Sequence, residues 1–472
     1  MSAELIEPVL WAIGMAVLAG VLFTGIGLIS GTDETAIVAP LALLVILIGV
    51  PPSGVIAFFL AAIISKHISH AVPTTLLGIP GDTTAVPMLR EAQLLRSLGV
   101  PHIALQKAIS GGVISVAIAV PLSIVFALVL TPFADAIGAA APWIFIAAAV
   151  LVAYTSKGKL AAVAALIPFV LLIVGLQAFI MEQKEATFTT SFFLGIATGP
   201  LIFDLFSAMS PVGRRAMRQE GKREFNLAPD VRPRGDRRLL NPFKALSGKQ
   251  LAYTSGSAAI TSATFVFSPV AMAVLMGEAV GSRIKNGYER LTTVITVRNG
   301  TTESTYIAET LIPLIAIGLP LSPMAAGPAA PLFNAPPVYT LDAEAGTTNN
   351  LHDLLTTGQF ALFSVIAAVI AVAIAYPFVM TNAHRAATWV MRSVSHEAII
   401  AGFAALICVI CLYEGGLLAL GVTITVGLVG GLFNRISACT PASSSWATTS
   451  PCSPCPPSSR CEKAAQPPVK PR

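Results

Sequence analysis

The sequence predicts an all-α integral membrane protein with about 11–12 membrane elements, and three observations carry that prediction. Hydrophobic residues make up 55% of the 472 and charged residues only 11%, with a mean hydropathy of +0.78, too little charge to cover the surface of a soluble protein of this size. Apolar windows of about 20 residues, the length that crosses a hydrocarbon core, recur along most of the chain. The period-two alternation of an outer-membrane barrel is missing.

Two short patterns then organise the chain. Pro73, Gly78 and Pro80 stand in HAVPTTLLGIPGDTTAVPMLRE (70–91), and the same spacing returns as Pro313, Gly318 and Pro320 in IPLIAIGLPLSP. Residues that break helices, repeated once in each half, point to an internal duplication with a re-entrant segment in each repeat. A second landmark agrees. Pro80 follows the interruption at Gly31 by 49 residues, and Pro320 follows that at Pro269 by 51. The predicted organisation is a first transmembrane repeat over 1–209, a basic linker over 210–250, a second repeat over 251–436 and a low-complexity tail over 437–472.

In chain order, residues 8–29 form a first helix, since Glu4 and Glu7 replace the basic region of a signal peptide. Residues 36–64 read either as one tilted helix or as two pieces divided at GVPPSG. Further spans are expected at 108–130, 138–154, 160–180 and 191–209, with loops that alternate between basic and acidic as the positive-inside rule requires. Residues 210–250 hold eleven Lys and Arg against four Asp and Glu, or +7, which places this loop in the cytoplasm. In the second half an apolar run over 251–276 breaks at Ser268 and Pro269. The stretch 278–303 reads as polar, 307–333 holds the second broken pattern, the acidic 336–357 lies outside, and 360–380 spans. A last pair, 398–413 and 415–433, turns at Glu414.

The +5 net charge is used up in orienting loops and gives no footprint for nucleic acid. No G-x-S-x-G, H-E-x-x-H or Walker lysine is present, so no enzyme is expected. The tail SACTPASSSWATTSPCSPCPPSSRC loses all hydrophobicity after a normal helix, which suggests a shifted reading frame. Its Cys452 and Cys455 are not read as a metal or redox motif.

Unwound backbone beside a half-helix suits an anion, and released carbonyls suit a cation. Substrate is therefore expected at Thr75, Gly78, Pro80, Gly81, Thr83 and Thr84 on the first break and at Gly318, Pro320 and Ser322 on the second. Asn299, Thr301 and Thr302, from a dense polar cluster over 298–305, join them. Charged residues near membrane depth mark Asp33, Glu34 and Glu303 as ion-coupling candidates, with helix capping as the plain alternative for the first two. Glu309 is noted beside them. His67 and His70, three apart, read as an interfacial pair before a proton-coupling one.

At these residues the chain resembles the large permease subunit of the tripartite tricarboxylate transporters. The family's I-P-G turn is Leu77 to Gly81 here, its upstream glycine-rich turn lies over 27–35, and its second signature runs from Glu303 to Pro320. Gly78 stands where the family usually has asparagine, Glu91 and Ala92 replace an acidic–glycine pair, and Leu321 replaces a final glycine. The resemblance implies an ion-gradient-driven permease of the cell inner or plasma membrane for small carboxylates. It would use Na+ or H+ as coupling ion and no other cofactor, and would work with a small membrane subunit and a secreted solute-binding protein. A non-transporting scaffold or a lipid-handling membrane enzyme is the rival reading.

Overall fold

A computed structural model describes residues 3–32, 34–155, 160–184, 188–197, 199–211, 241–333, 350–393 and 396–438. All regular elements among them are helical. They are α1 (Ala3–Ile26), α2 (Glu34–Leu47), α3 (Pro52–Val72), α4 (Leu89–Ser97), α5 (Pro101–Leu130), α6 (Ala134–Thr155), α7 (Leu160–Lys184), α8 (Thr189–Ala197) and α9 (Gly199–Met209). The second half supplies α10 (Gly248–Ala263), α11 (Pro269–Gly281), α12 (Gly287–Ala316), α13 (Thr357–Ser393) and α14 (His396–Ala438), with a few single-turn helices between. Six of the described helices are long and apolar enough to cross a membrane, and α2 and α11 are shorter apolar helices. The chain is a multi-pass helical membrane protein.

Most of the 210–250 linker, the acidic loop before Asn350, the tail and Asp33 lie outside the described residues. Residues 36–64 do divide at GVPPSG, because Pro51 and Pro52 start a new helix. The last pair is two helices that meet at Gly415 and Gly416, where the backbone leaves helical geometry next to the expected turn at Glu414.

The molecule is built around α3 and α12. Helix α3 is buried from Ser53 to Val72 and packs against α1 and α13. Helix α12 corrects the sequence reading most. Residues 278–303, read as a polar stretch, contain α11's end and more than half of a 30-residue helix that is buried without interruption from Thr292 to Ala316. A hydroxyl-rich helix tolerates this because the hydroxyls of Thr296, Thr302, Ser304, Thr305 and Thr310 donate to carbonyls one turn back, at 2.7–3.1 Å. It also lies very close to α5. A Cβ on Gly111 would stand 2.3 Å from the Thr296 carbonyl oxygen, and one on Gly300 would stand 2.4 Å from Ser115 Oγ. Small residues at a helix crossing in lipid allow such an approach.

The contacts are reciprocal. Helix α3, before the first break, packs on α13, which follows the second break; α12, before the second, packs on α5, which follows the first. By contrast, α7 is almost wholly exposed, with Ile167, Leu171 and Val174 turned outward as a lipid-facing helix requires.

Candidate functional site: a buried ionic network between α3 and α12

The two breaks share one backbone device. In each, a glycine in the left-handed region (φ 72° at Gly78, 70° at Gly318) returns its N–H to the carbonyl of the proline five residues earlier. The P-x4-G spacing is the signature of that termination. At the first break α3 runs on as a π-turn, Pro73–Leu77, before the chain reverses. Its freed carbonyls are already satisfied: Arg96 Nη1 donates to Leu77 O at 2.8 Å and Gln93 Nε2 to Gly78 O at 3.1 Å. At the second break Asn350 Nδ2 donates to Gly318 O, and His352 Nδ1 lies 3.0 Å from Leu314 O. Each of these four carbonyl oxygens thus has one side-chain partner.

What the first break does is fold Asp82 back onto α3. Gly81 lies so close that a Cβ would meet His70 O at 2.5 Å, and the α1–α2 link clasps the turn through Ser30 Oγ to Pro80 O (2.6 Å) and Gly31 N to Gly81 O (2.7 Å). Asp82 Oδ1 accepts from Thr84 Oγ1 (2.8 Å) and Ala85 N (2.9 Å), while Oδ2 meets Lys66 Nζ (2.6 Å) and His70 Nδ1 (2.9 Å). Lys66 also donates to Glu34 Oε1 at 2.7 Å.

From α3 the network crosses to α12. His67 Nδ1 lies 3.3 Å from Glu303 Oε2, and its Nε2 lies 3.4 Å from Glu34 Oε1. Tyr306 packs edge-on against the His67 ring. His70 Nε2 lies 3.1 Å from Asn299 Oδ1, and Asn299 Nδ2 donates to Ala108 O on α5 at 2.9 Å. All these side chains are fully or almost fully buried. Glu303 Oε1 and Thr301 Oγ1 have no hydrogen-bond partner. Ligand atoms of His67, His70 and Asp82 lie within 4.8 Å of one another, a spacing that suits a metal. The Lys66 ammonium sits on Asp82 Oδ2 and supplies positive charge to the same group.

Glu309, one turn and a half beyond Glu303, is buried at the second break. Its Oε2 accepts from Met324 N at 3.1 Å, and Ser322 Oγ donates to its backbone carbonyl at 2.8 Å. Towards the basic loops, Arg298 ties the halves together: it donates to Pro87 O (2.6 Å), to Glu91 and to Glu278 Oε1 (2.7 Å). A cleft of about 530 Å³ opens beside these pairs, with exposed Arg90 and Arg290 on its walls.

Across residues 13–442 the chain matches the model of the tripartite tricarboxylate transporter TctA family. The chain belongs to that family. By this membership it is a transporter component. No curated protein and no solved structure matches it.

The structure gathers Glu34, Glu303 and Asn299 in one network, with Thr84 at its edge. Thr75, Thr84, Thr302 and Ser322 are close by or at the second break, but their hydroxyls donate to protein oxygens. Gly318, Pro320 and Ser322 do not join the first group; α12 runs between the two. Sequence reasoning missed Lys66 and Asp82 and undervalued His67 and His70. One signal was available: Lys66, His67 and His70 fall within a 26-residue segment otherwise apolar enough to span.

Proposed function

We propose that the chain is the permease of a tripartite system that moves a small di- or tricarboxylate, driven by an ion gradient, and that the buried network couples the two. The network itself carries this reading. One ammonium and three carboxylates, with two imidazoles among them, are expensive at membrane depth and serve no evident packing purpose, as ionisable groups that line ion pathways do. They also bridge the two halves through side chains, where a change of ionic state alters the interface.

Substrate is assigned to the space between the breaks: Thr75, Gly78, Pro80, Gly81, Thr83 and Thr84 on one side, Gly318, Pro320 and Ser322 on the other, with Asn299, Thr301 and Thr302 between. The cleft beside Arg90 and Arg290 offers a carboxylate an electrostatically favourable approach. The reciprocal packing of α3 with α13 and α12 with α5 supports two repeats, and the +7 linker supports a cytoplasmic 210–250. A small membrane subunit and a secreted solute-binding protein are the partners family membership leads us to assign.

The test is uptake of labelled citrate and succinate into proteoliposomes holding the chain with both partners. Gly78→Leu and Gly318→Leu each place a bulky side chain on a left-handed backbone at a break, and uptake should fall to background. Unchanged uptake in both variants refutes the location of the site.

A further inference from the structure

Counting N–H groups across the network points to its cargo. His70 faces an acceptor on each ring nitrogen. Asp82 Oδ2 lies 2.9 Å from Nδ1, and Asn299 Oδ1 lies 3.1 Å from Nε2. The Asn299 amide cannot be turned round, because its Nδ2 donates to Ala108 O and the reverse orientation would set two acceptors face to face. A neutral imidazole donates from only one nitrogen. His70 therefore needs both of its N–H groups. In the second pair His67 is hydrogen-bonded on one side only, Nδ1 to Glu303 Oε2 at 3.3 Å; its Nε2 makes no hydrogen bond, although the Glu34 carboxylate lies 3.4 Å away. Glu303 keeps one oxygen without a partner.

Charge gives the same count. With neutral imidazoles, Lys66 stands against Glu34, Asp82 and Glu303, and two negative charges are left in a site closed to water. One proton on His70 and one shared by His67 and Glu303 bring the network to zero. We propose that this network binds two protons, one on His70 and one on the His67–Glu303 pair, and that the proton is the ion coupled to transport.

Among the described residues other titratable groups on these helices are engaged elsewhere: Arg298 with Glu91 and Glu278, Glu309 at the second break, and Tyr376 of α13 with Ser110. Helix α2 offers Glu34 alone, the first break Asp82, α12 Glu303 and Tyr306, and α3 Lys66 and the two histidines. On α5, Lys107 is drawn off to Ala245 O and Gln250 Oε1. Sodium fits this donor set poorly. It needs several oxygen ligands, whereas Asp82 and four carbonyls at the breaks already accept from side-chain donors, which leaves Glu303 Oε1 and Thr301 Oγ1 as the unpartnered oxygens of the network.

The proposal rests on the transport reading only for its second half, and two measurements separate them. The full chain, ring-¹⁵N-labelled at its six histidines, is placed in lipid nanodiscs and the imidazole nitrogens are read by NMR. At neutral pH a doubly protonated signal absent from His70→Gln is expected; a neutral tautomer at His70 in the wild-type protein overturns the proposal. Proteoliposomes with the partner subunits, in sodium-free buffer and with the membrane potential clamped at zero, then take up labelled citrate or succinate under a pH gradient. One pH unit is worth about 1.4 kcal/mol per proton, so two protons limit accumulation at about hundredfold and one at about tenfold. The wild type should approach the first limit and His70→Gln no more than the second. Uptake that needs sodium and ignores the pH gradient overturns the coupling ion. If neither probe moves under any gradient while the His70 signal persists, the transport reading fails and the proton assignment stands.

Discussion

Lys66→Met is the sharpest test of the network as an energetic unit. The ammonium lies 2.7 Å from Glu34 and 2.6 Å from Asp82 with no solvent exposure. At an effective dielectric of about 20 each pair is worth roughly 6 kcal/mol of gross attraction. Desolvation of the three ions takes back most of it, so the pair is a poor source of net stability. Removing one partner is different, because it leaves buried charge uncompensated, at a typical cost of about 3–5 kcal/mol. Methionine keeps the length and apolar stem of lysine, so little of that loss comes from packing. The assay is unfolding of the detergent-solubilised chain, run as a double-mutant cycle with Asp82→Asn. The two substitutions share one interaction, so the double variant should lie above the sum of the singles by between about 0.5 and 3 kcal/mol. A cost below about 1 kcal/mol for Lys66→Met, the range of an exposed ion pair, would refute a buried, obligatory pair.

Four further outcomes follow from particular contacts. Gly111→Val should abolish folding, since even its Cβ would stand 2.3 Å from a backbone oxygen of α12, whereas Gly175→Val on lipid-facing α7, with no atom within 4 Å, should be neutral; similar expression levels of the two would contradict the close crossing. Gly112→Ala would set a Cβ 2.9 Å from Asn299 Nδ2, and only in ordinary contact with Glu303 at 3.4 Å or more, so it disturbs the acceptor of His70 first, and the histidine NMR signal should change while Glu303→Gln leaves it in place. Burial pushes the Glu91 carboxyl up from its ordinary range, with Arg298 opposing. An acid raised on folding adds stability below its unfolded pKa and loses that contribution as pH rises through the folded one. Arg298→Ala removes the opposing charge, so the variant should lose more stability than the wild type between mildly acid and neutral pH; parallel pH profiles would count against the pairing. Glu309→Gln keeps an acceptor for Met324 N and removes a charge that has no cation within ion-pair distance among the described residues, so its melting temperature should not fall below that of Glu303→Gln.

How far the sequence carried this follows from which forces are local. Pro73 with Gly78, and Pro313 with Gly318, are legible because helix termination is decided within six residues. Glu34 and Glu303 are legible because charge in an apolar chain is conspicuous. Helix α12 was not, since its burial depends on hydroxyls donating to their own helix, and a Thr-rich run looks identical when it faces water. Asp82 was invisible for another reason: its partners Lys66 and His70 lie 16 and 12 residues back, and only the reversal at Gly81 brings them together.

The two broken segments, to which substrate is assigned, also have a structural part to play. Four of their carbonyls and several of their hydroxyls are hydrogen-bonded within the protein, which holds the breaks in place, and the first of them delivers Asp82 to α3. Movement has to be sought where the contacts are weakest in shape and strongest in charge. Helix α12 is joined to α5 by backbone-close glycine packing, which sliding would disrupt along its whole length. It is joined to α3 largely through His67, His70, Asn299, Glu303 and Tyr306, side chains that separate without any change of backbone. With the proposed two protons that interface is neutral and its donors and acceptors match. Without them it holds two surplus negative charges and a histidine short of a donor. Gain and loss of those protons would therefore bias an interface that these side chains hold together, which is the differential free energy a coupling ion must supply.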